Sequence, residues 1–208
     1  MPGELLAISS GIIVLFGAPF YLRGILKGHT RPDRTTWLIW SVLAIVAFVS
    51  QFKMGARWSL IYVGLGVIGN LIVYGLSLKH GYGGWKGGDK LALIVAATGL
   101  VVSFLLHSPI TALIGVVIAD FAGALLTIQK AFRRPNSETA ITWVLAGIAS
   151  ALAAMSVGEL SFSLLVYPIY LSVVCFSVPI AQSLGLYRNK MKRRALSECS
   201  AAEEFEFS

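Results

Sequence analysis

The chain has 208 residues, of which 56% are hydrophobic and only 13% charged, against about 25% charged in water-soluble domains. A soluble fold of this size has too little interior to hide so much apolar surface, and the same balance excludes disorder for the bulk of the chain. The net charge of +7 then reads as membrane topology rather than nucleic-acid affinity.

A bilayer-crossing helix needs about 20 mostly apolar residues. Seven stretches qualify: residues 5–22, 36–52, 58–78, 91–106, 110–128, 140–157 and 161–186. The leader Met1-Pro2-Gly3-Glu4 carries no positive charge, so the first stretch is expected to stay as a span rather than act as a cleaved signal. Only His107-Ser108-Pro109 separates the fourth stretch from the fifth, with Pro109 placed to open a helix. The expected fold is all-α: a polytopic membrane protein of seven transmembrane helices. Glu198, Glu203, Glu204 and Glu206 mark the last residues as a disordered acidic tail after a basic collar.

Lysines and arginines then fix the orientation. Arg23, Lys27, Arg31 and Arg34 follow the first stretch; Lys79, Lys86 and Lys90 follow the third. Lys130, Arg133 and Arg134 follow the fifth, and Arg188 to Arg194 the seventh. Only Lys53 and Arg57 fall on the other side. Cytoplasmic loops retain Lys and Arg, so the N-terminus is expected outside the cell membrane and the C-terminus in the cytoplasm. The collar is expected to touch anionic lipid headgroups. Trp37, Trp58 and Trp143 stand at span ends, where indoles favour the membrane interface.

A shift of 106 residues aligns spans one, two and three with five, six and seven. Gly17-Ala18 falls on Gly123-Ala124, and Thr36-Trp37 on Thr142-Trp143. The fourth span is left unmatched, and an odd linker gives both halves the same direction, a parallel repeat. The expected organisation is a first triple-helix bundle (residues 1–80), a loop and linker helix (81–108), a second bundle (109–187), and the collar with its tail (188–208). Any central site would lie between the bundles near the midplane.

This plan resembles the SWEET family of sugar transporters and, more broadly, the PQ-loop superfamily. Pro19-Phe20 stands near the place of the name-giving Pro-Gln pair, and Leu125-Leu126 aligns with it in the second repeat. Asn70 fits the third-helix asparagine of such sites, while its repeat partner is Phe176. The resemblance implies a carrier for a small solute with Asn70 in contact with it.

Asp120 is the one ionisable group near the centre of a predicted span. A charge there costs a few kcal/mol by insertion scales, so Asp120 must face the interior and find a partner or hold a proton. Two readings stand beside each other: a solute- or proton-coupling group, or a tie between helices. Ser59, Tyr62, Gly66, Asn70 and Ser77 form one face of the third span, able to line a wet cavity or to glue helices together. Ser163, Tyr167, Tyr170 and Ser177 form an analogous stripe in the seventh. Trp40 could stack on a ring-shaped ligand or anchor at the interface. Pro19, Pro168 and Pro179 lie within spans as candidate hinges.

Asn70, Asp120, Tyr62, Tyr170 and Trp40 are thus the expected solute contacts. No zinc, nucleophile-elbow or phosphate-loop motif is present, so no catalytic residue, metal or cofactor is expected. The expected partners are the bilayer and a small solute, with self-association left open and no nucleic acid. The expected function is alternating-access transport of a small polar, sugar-like or other small metabolite, facilitative or proton-coupled. The competing expectation is a non-transporting receptor, sorting or scaffold protein on the same fold.

Overall fold

The computed structural model describes residues 2–81, 108–158 and 160–206, with isolated positions between 90 and 101. The described residues form helices α1 (Pro2–Leu26), α2 (Arg34–Lys53), α3 (Leu60–His80), α4 (Pro109–Arg133), α5 (Ala140–Met155) and α6 (Phe162–Glu206). A short 3₁₀ turn, Pro135–Ser137, precedes α5. Five of these helices are long and apolar enough to cross a membrane; α5 is a shorter apolar helix. They cover six of the seven stretches expected from the sequence. The expected span at 91–106 lies for the most part outside the described residues.

Local chemistry explains the ends. Asp33 caps α2, its Oδ1 accepting from the backbone N–H of Thr36 at 3.0 Å, which satisfies a donor that the first helical turn leaves free. Pro109 opens α4 after an extended Ser108, as its missing N–H allows. Gly28 ends α1 with φ +74°, a left-handed conformation that glycine adopts without a Cβ clash. The tail differs from expectation: α6 continues to Glu206. Residues 187–206 contain no Gly or Pro and are rich in Ala, Glu, Lys and Arg. These are good helix formers, and they extend a helix already nucleated.

The helices pack in a closed ring, α1–α3–α2–α4–α6–α5 and back to α1. Consecutive helices α1 and α2 are therefore wedged apart by α3, and α4 and α5 by α6. The 106-residue shift sends α1, α2 and α3 to α4, α5 and α6, and carries this ring onto itself. Individual contacts obey it too. Gly17 of α1 lies against Thr142 and Leu145 of α5, and Gly123 of α4 lies against Thr36 and Trp40 of α2.

One end of the ring collects the basic residues. There Thr30 and Thr139 share a hydrogen bond of 2.7 Å, and Arg34 Nε donates to the Ser77 carbonyl at 2.9 Å. Gln182 Nε2 donates to the Pro135 and Glu138 carbonyls at 2.6 and 2.9 Å. The C-terminal ends of α1, α3 and α4 thus meet the starts of α2 and α5 and the Gln182 turn of α6. Gly3, at the other end, lies against the Ser156 carbonyl that closes α5.

Burial is inverted relative to a soluble protein. Leu5, Phe16, Ile118, Phe162 and Val173 are at least 60% exposed, while Ser10, Gln51, Ser77, Asp120 and Ser150 are buried. Large apolar side chains outside and polar ones between helices suit a hydrocarbon surrounding, where helices associate through small and polar residues.

Candidate functional site

A cavity of about 230 Å³ lies within the ring and draws its wall from all six helices. From α1 come Val14, Ala18 and Tyr21; from α2, Trp37, Trp40 and Ala44. Helix α3 supplies Tyr62, Gly66, Gly69 and Asn70, and α4 supplies Asp120. Trp143 and Ala146 of α5 and Tyr167, Leu171 and Cys175 of α6 complete the wall. The surface is mostly aromatic and aliphatic with a few placed polar groups, the usual make-up of a small-molecule pocket.

Glycine decides what the α3 stripe does. A Cβ at Gly66 or Gly69 would meet nothing within 4 Å, so these glycines border open space rather than allow close packing. Tyr62, Gly66 and Asn70 line the cavity. Ser59 and Ser77 are buried and do not; the Ser77 hydroxyl donates to the Tyr74 carbonyl at 2.7 Å.

The second half fills the corresponding room. A Cβ on Gly147 of α5 would lie 2.9 Å from the Phe176 ring of α6. At the repeat-related place, Asn70 of α3 instead donates through Nδ2 to the Trp40 carbonyl of α2 at 3.2 Å. The Phe176 ring replaces both the amide and the space beside it, and the cavity is skewed toward α1 and α3.

Asp120 is 7% exposed, and its Oδ2 accepts from the Tyr170 hydroxyl at 2.5 Å. Tyr170 stands behind the carboxylate and is absent from the cavity wall, a correction to its expected place. Of the seventh-span stripe only Tyr167 reaches the cavity. Ser163 pairs with Ser161 at 2.8 Å, and Ser177 donates to its own helix at the Val173 carbonyl. That spacing put four residues near one face of α6, but the interior claims only a narrow strip of it. Pro19 is exposed on α1 and Pro168 fully buried in α6, and both, with Pro179, sit inside continuous helices.

Compared with protein-family models, curated proteins and solved structures, the chain finds no match in any of the three. The site therefore stands on its own chemistry.

Along the cavity wall, toward the basic end, four lining rings form a ladder. Tyr21 and Trp37 have centroids 5.4 Å apart, Trp37 and Trp40 5.1 Å, and Trp40 and Trp143 5.9 Å. The two tryptophan pairs meet edge to face, the arrangement that the ring quadrupole favours. Trp37 and Trp143 thus face inward and are not interface anchors, because the starts of α2 and α5 are enclosed by α1 and α4. Trp58, at 44% exposure, stays outside.

Glu138 ties this ladder down and was not singled out by the sequence reading. Its Oε2 accepts from Tyr21 Oη at 3.2 Å and from Trp143 Nε1 at 3.1 Å. Its Oε1 pairs with Lys130 Nζ at 2.5 Å. The side chain is 2% exposed and that of Lys130 26%. One signal was available: Glu138 is the single acid between Lys130 and Trp143, among three basic residues. An acid in a basic loop beside a helix start is a candidate partner for whatever the helix buries.

Proposed function

We propose that the chain is a membrane transporter for a small solute, with two parallel triple-helix bundles rocking about the central cavity. One observation carries this reading. Repeat-related residues line the cavity together: Val14 with Asp120, Trp37 with Trp143, Trp40 with Ala146, Leu65 with Leu171, and Gly69 with Cys175. A pseudo-two-fold axis therefore passes through the hollow, where parallel repeats place a transported solute. A scaffold has no need of space on that axis.

The seven-span plan gains support from connectivity. Gly81 belongs to the basic end, next to the Pro32 carbonyl. Ser108 starts α4, a 25-residue helix that runs about 37 Å to Lys130 and Arg133 at that same end. Gly81 and Ser108 thus lie at opposite ends of the ring, which favours the seven-span reading. With the basic end in the cytoplasm, the N-terminus faces outward.

Alternating access has a test that needs no substrate. Cys175 lines the cavity, and Cys199→Ala leaves it the sole thiol. In membrane vesicles of either orientation, a membrane-impermeant thiol reagent is expected to label Cys175 from both sides in separate experiments. Labelling from one side only, or from neither, would leave a pocket without a pathway.

A further inference from the structure

We propose that the central cavity takes a small organic cation, an amine or quaternary ammonium group on a compact apolar body. The transport reading supplies only its movement; the cation selectivity rests on the cavity wall itself.

The wall carries one carboxylate, Asp120, and among the described residues no Lys, Arg or His. Glu138, beneath the floor, is already paired with Lys130. A charge-bearing ligand therefore meets a negative group with no positive one beside it. Six aromatic residues share the rest of the wall with aliphatic ones: Tyr21, Trp37, Trp40, Tyr62, Trp143 and Tyr167. Aromatic faces attract cations through the ring quadrupole, and cages of such rings are a known way to hold quaternary ammonium groups.

The two elements are adjacent. Gly123 stands three residues beyond Asp120 on α4, on the same helical face. A Cβ there would lie 3.1 Å from Trp40 Nε1. The missing side chain is what lets the indole reach α4 within about one turn of the carboxylate.

Alternative solutes fit less well. A sugar presents many hydroxyls, each needing a partner once desolvated, and this wall has few polar groups. One of the two N–H donors of the Asn70 amide is already given to the Trp40 carbonyl. A zwitterionic amino acid would leave its carboxylate facing Asp120 with no cation to answer it.

The test compares choline with 3,3-dimethyl-1-butanol, its uncharged isostere, on the purified full chain in lipid nanodiscs, read by tryptophan fluorescence. Choline is expected to bind saturably and at least tenfold more tightly than the alcohol. Asp120→Asn is expected to abolish that preference, and Trp40→Leu to weaken choline at least fivefold. Trp40→Phe, which keeps a ring, should retain most of the binding. Size-exclusion profiles identify any variant that fails to fold, and the wild-type comparison of the two ligands stands without them. Equal binding of both compounds, no binding of either, or an Asp120→Asn variant that keeps the preference would overturn the inference. Labelled choline and glucose uptake into proteoliposomes separates this from the transport reading. Glucose flux without choline binding removes the cation inference and keeps the carrier. Choline binding without flux keeps the site and removes the carrier.

Discussion

Tyr170 on α6 donates its hydroxyl hydrogen to Asp120 Oδ2 on α4 across 2.5 Å. The pair fastens two helices and leaves the carboxylate on the cavity wall. Removing the donor strands a buried acceptor, which costs about 1–3 kcal/mol and more if charged. Tyr170→Phe is therefore expected to lower the melting temperature of the purified protein. Asp120→Asn should lower it less, because the amide oxygen still accepts from Tyr170 and a buried charge is gone. Thermal unfolding of both variants without ligand checks the order; the reverse order would mean that the charge itself holds the fold.

The glycines on the two sides of the axis should respond oppositely. A methyl at Gly66 or Gly69 enters open space, and alanine is favoured over glycine within a helix by roughly 0.5–1 kcal/mol. Gly66→Ala and Gly69→Ala are expected to be neutral or stabilising while narrowing the cavity. Gly147→Ala presses on the Phe176 ring at 2.9 Å, an overpacking expected to cost about 1–3 kcal/mol. Equal losses at Gly66 and Gly147 in the same thermal assay would show that α3 is packed, not hollow.

Glu138 joins α4, α1 and α5 through Lys130, Tyr21 and Trp143. Lys130 is partly exposed, so the loss on Glu138→Ala is expected to come chiefly from the Tyr21 and Trp143 donors left without an acceptor, about 1–3 kcal/mol each. Tyr21→Phe and Trp143→Phe each remove one donor and should cost about 1 kcal/mol apiece. A double-mutant cycle with Lys130→Met isolates the ion pair. Additive losses in that cycle would reduce the contact to a surface pairing.

Much of this was readable because hydrocarbon imposes a coarse code. Apolar length located the six α-helices that the structure describes, and the Gly17-Ala18 and Thr36-Trp37 matches pointed to the repeat. Those matches are contact residues, since Gly17 meets Thr142 as Gly123 meets Thr36. Trp40, Tyr62, Asn70 and Asp120 converge on one cavity, because polar groups on apolar helices turn inward to find partners. What stayed hidden depends on rotation about helix axes and on pairing across the ring. Tyr170 lies one side-chain width behind the wall, and Trp143 faces a carboxylate from a loop. The skew of the cavity comes from Phe176, which the repeat sets opposite Asn70 but whose packing against Gly147 apolar patterning does not disclose.

Topology offers a check independent of the site. Residues 23–34, 130–134 and 188–194 hold most of the basic side chains, whereas Lys53 and Arg57 lie at the far end of α2. Alkaline-phosphatase fusions, active only outside the cytoplasm, are expected to be active after residue 55 and inactive after residues 30, 136 and 190. Activity after residue 136 would break the parallel relation of the two halves.

Gln51 presents the opposite problem to Glu138. It is fully buried near the end of α2, and neither Nε2 nor Oε1 has a hydrogen-bond partner among the described residues. An amide buried without partners costs about 1–3 kcal/mol on mutational scales. Methionine keeps the unbranched shape and similar volume without the polar atoms. Gln51→Met is therefore expected to raise the melting temperature by several degrees while leaving cavity binding unchanged, because Gln51 lies outside the cavity wall. A lowered melting temperature would mean that an ordered water, or a group beyond the described residues, satisfies the amide. In that case Gln51 would belong to a second polar contact that holds the outer ends of the helices together.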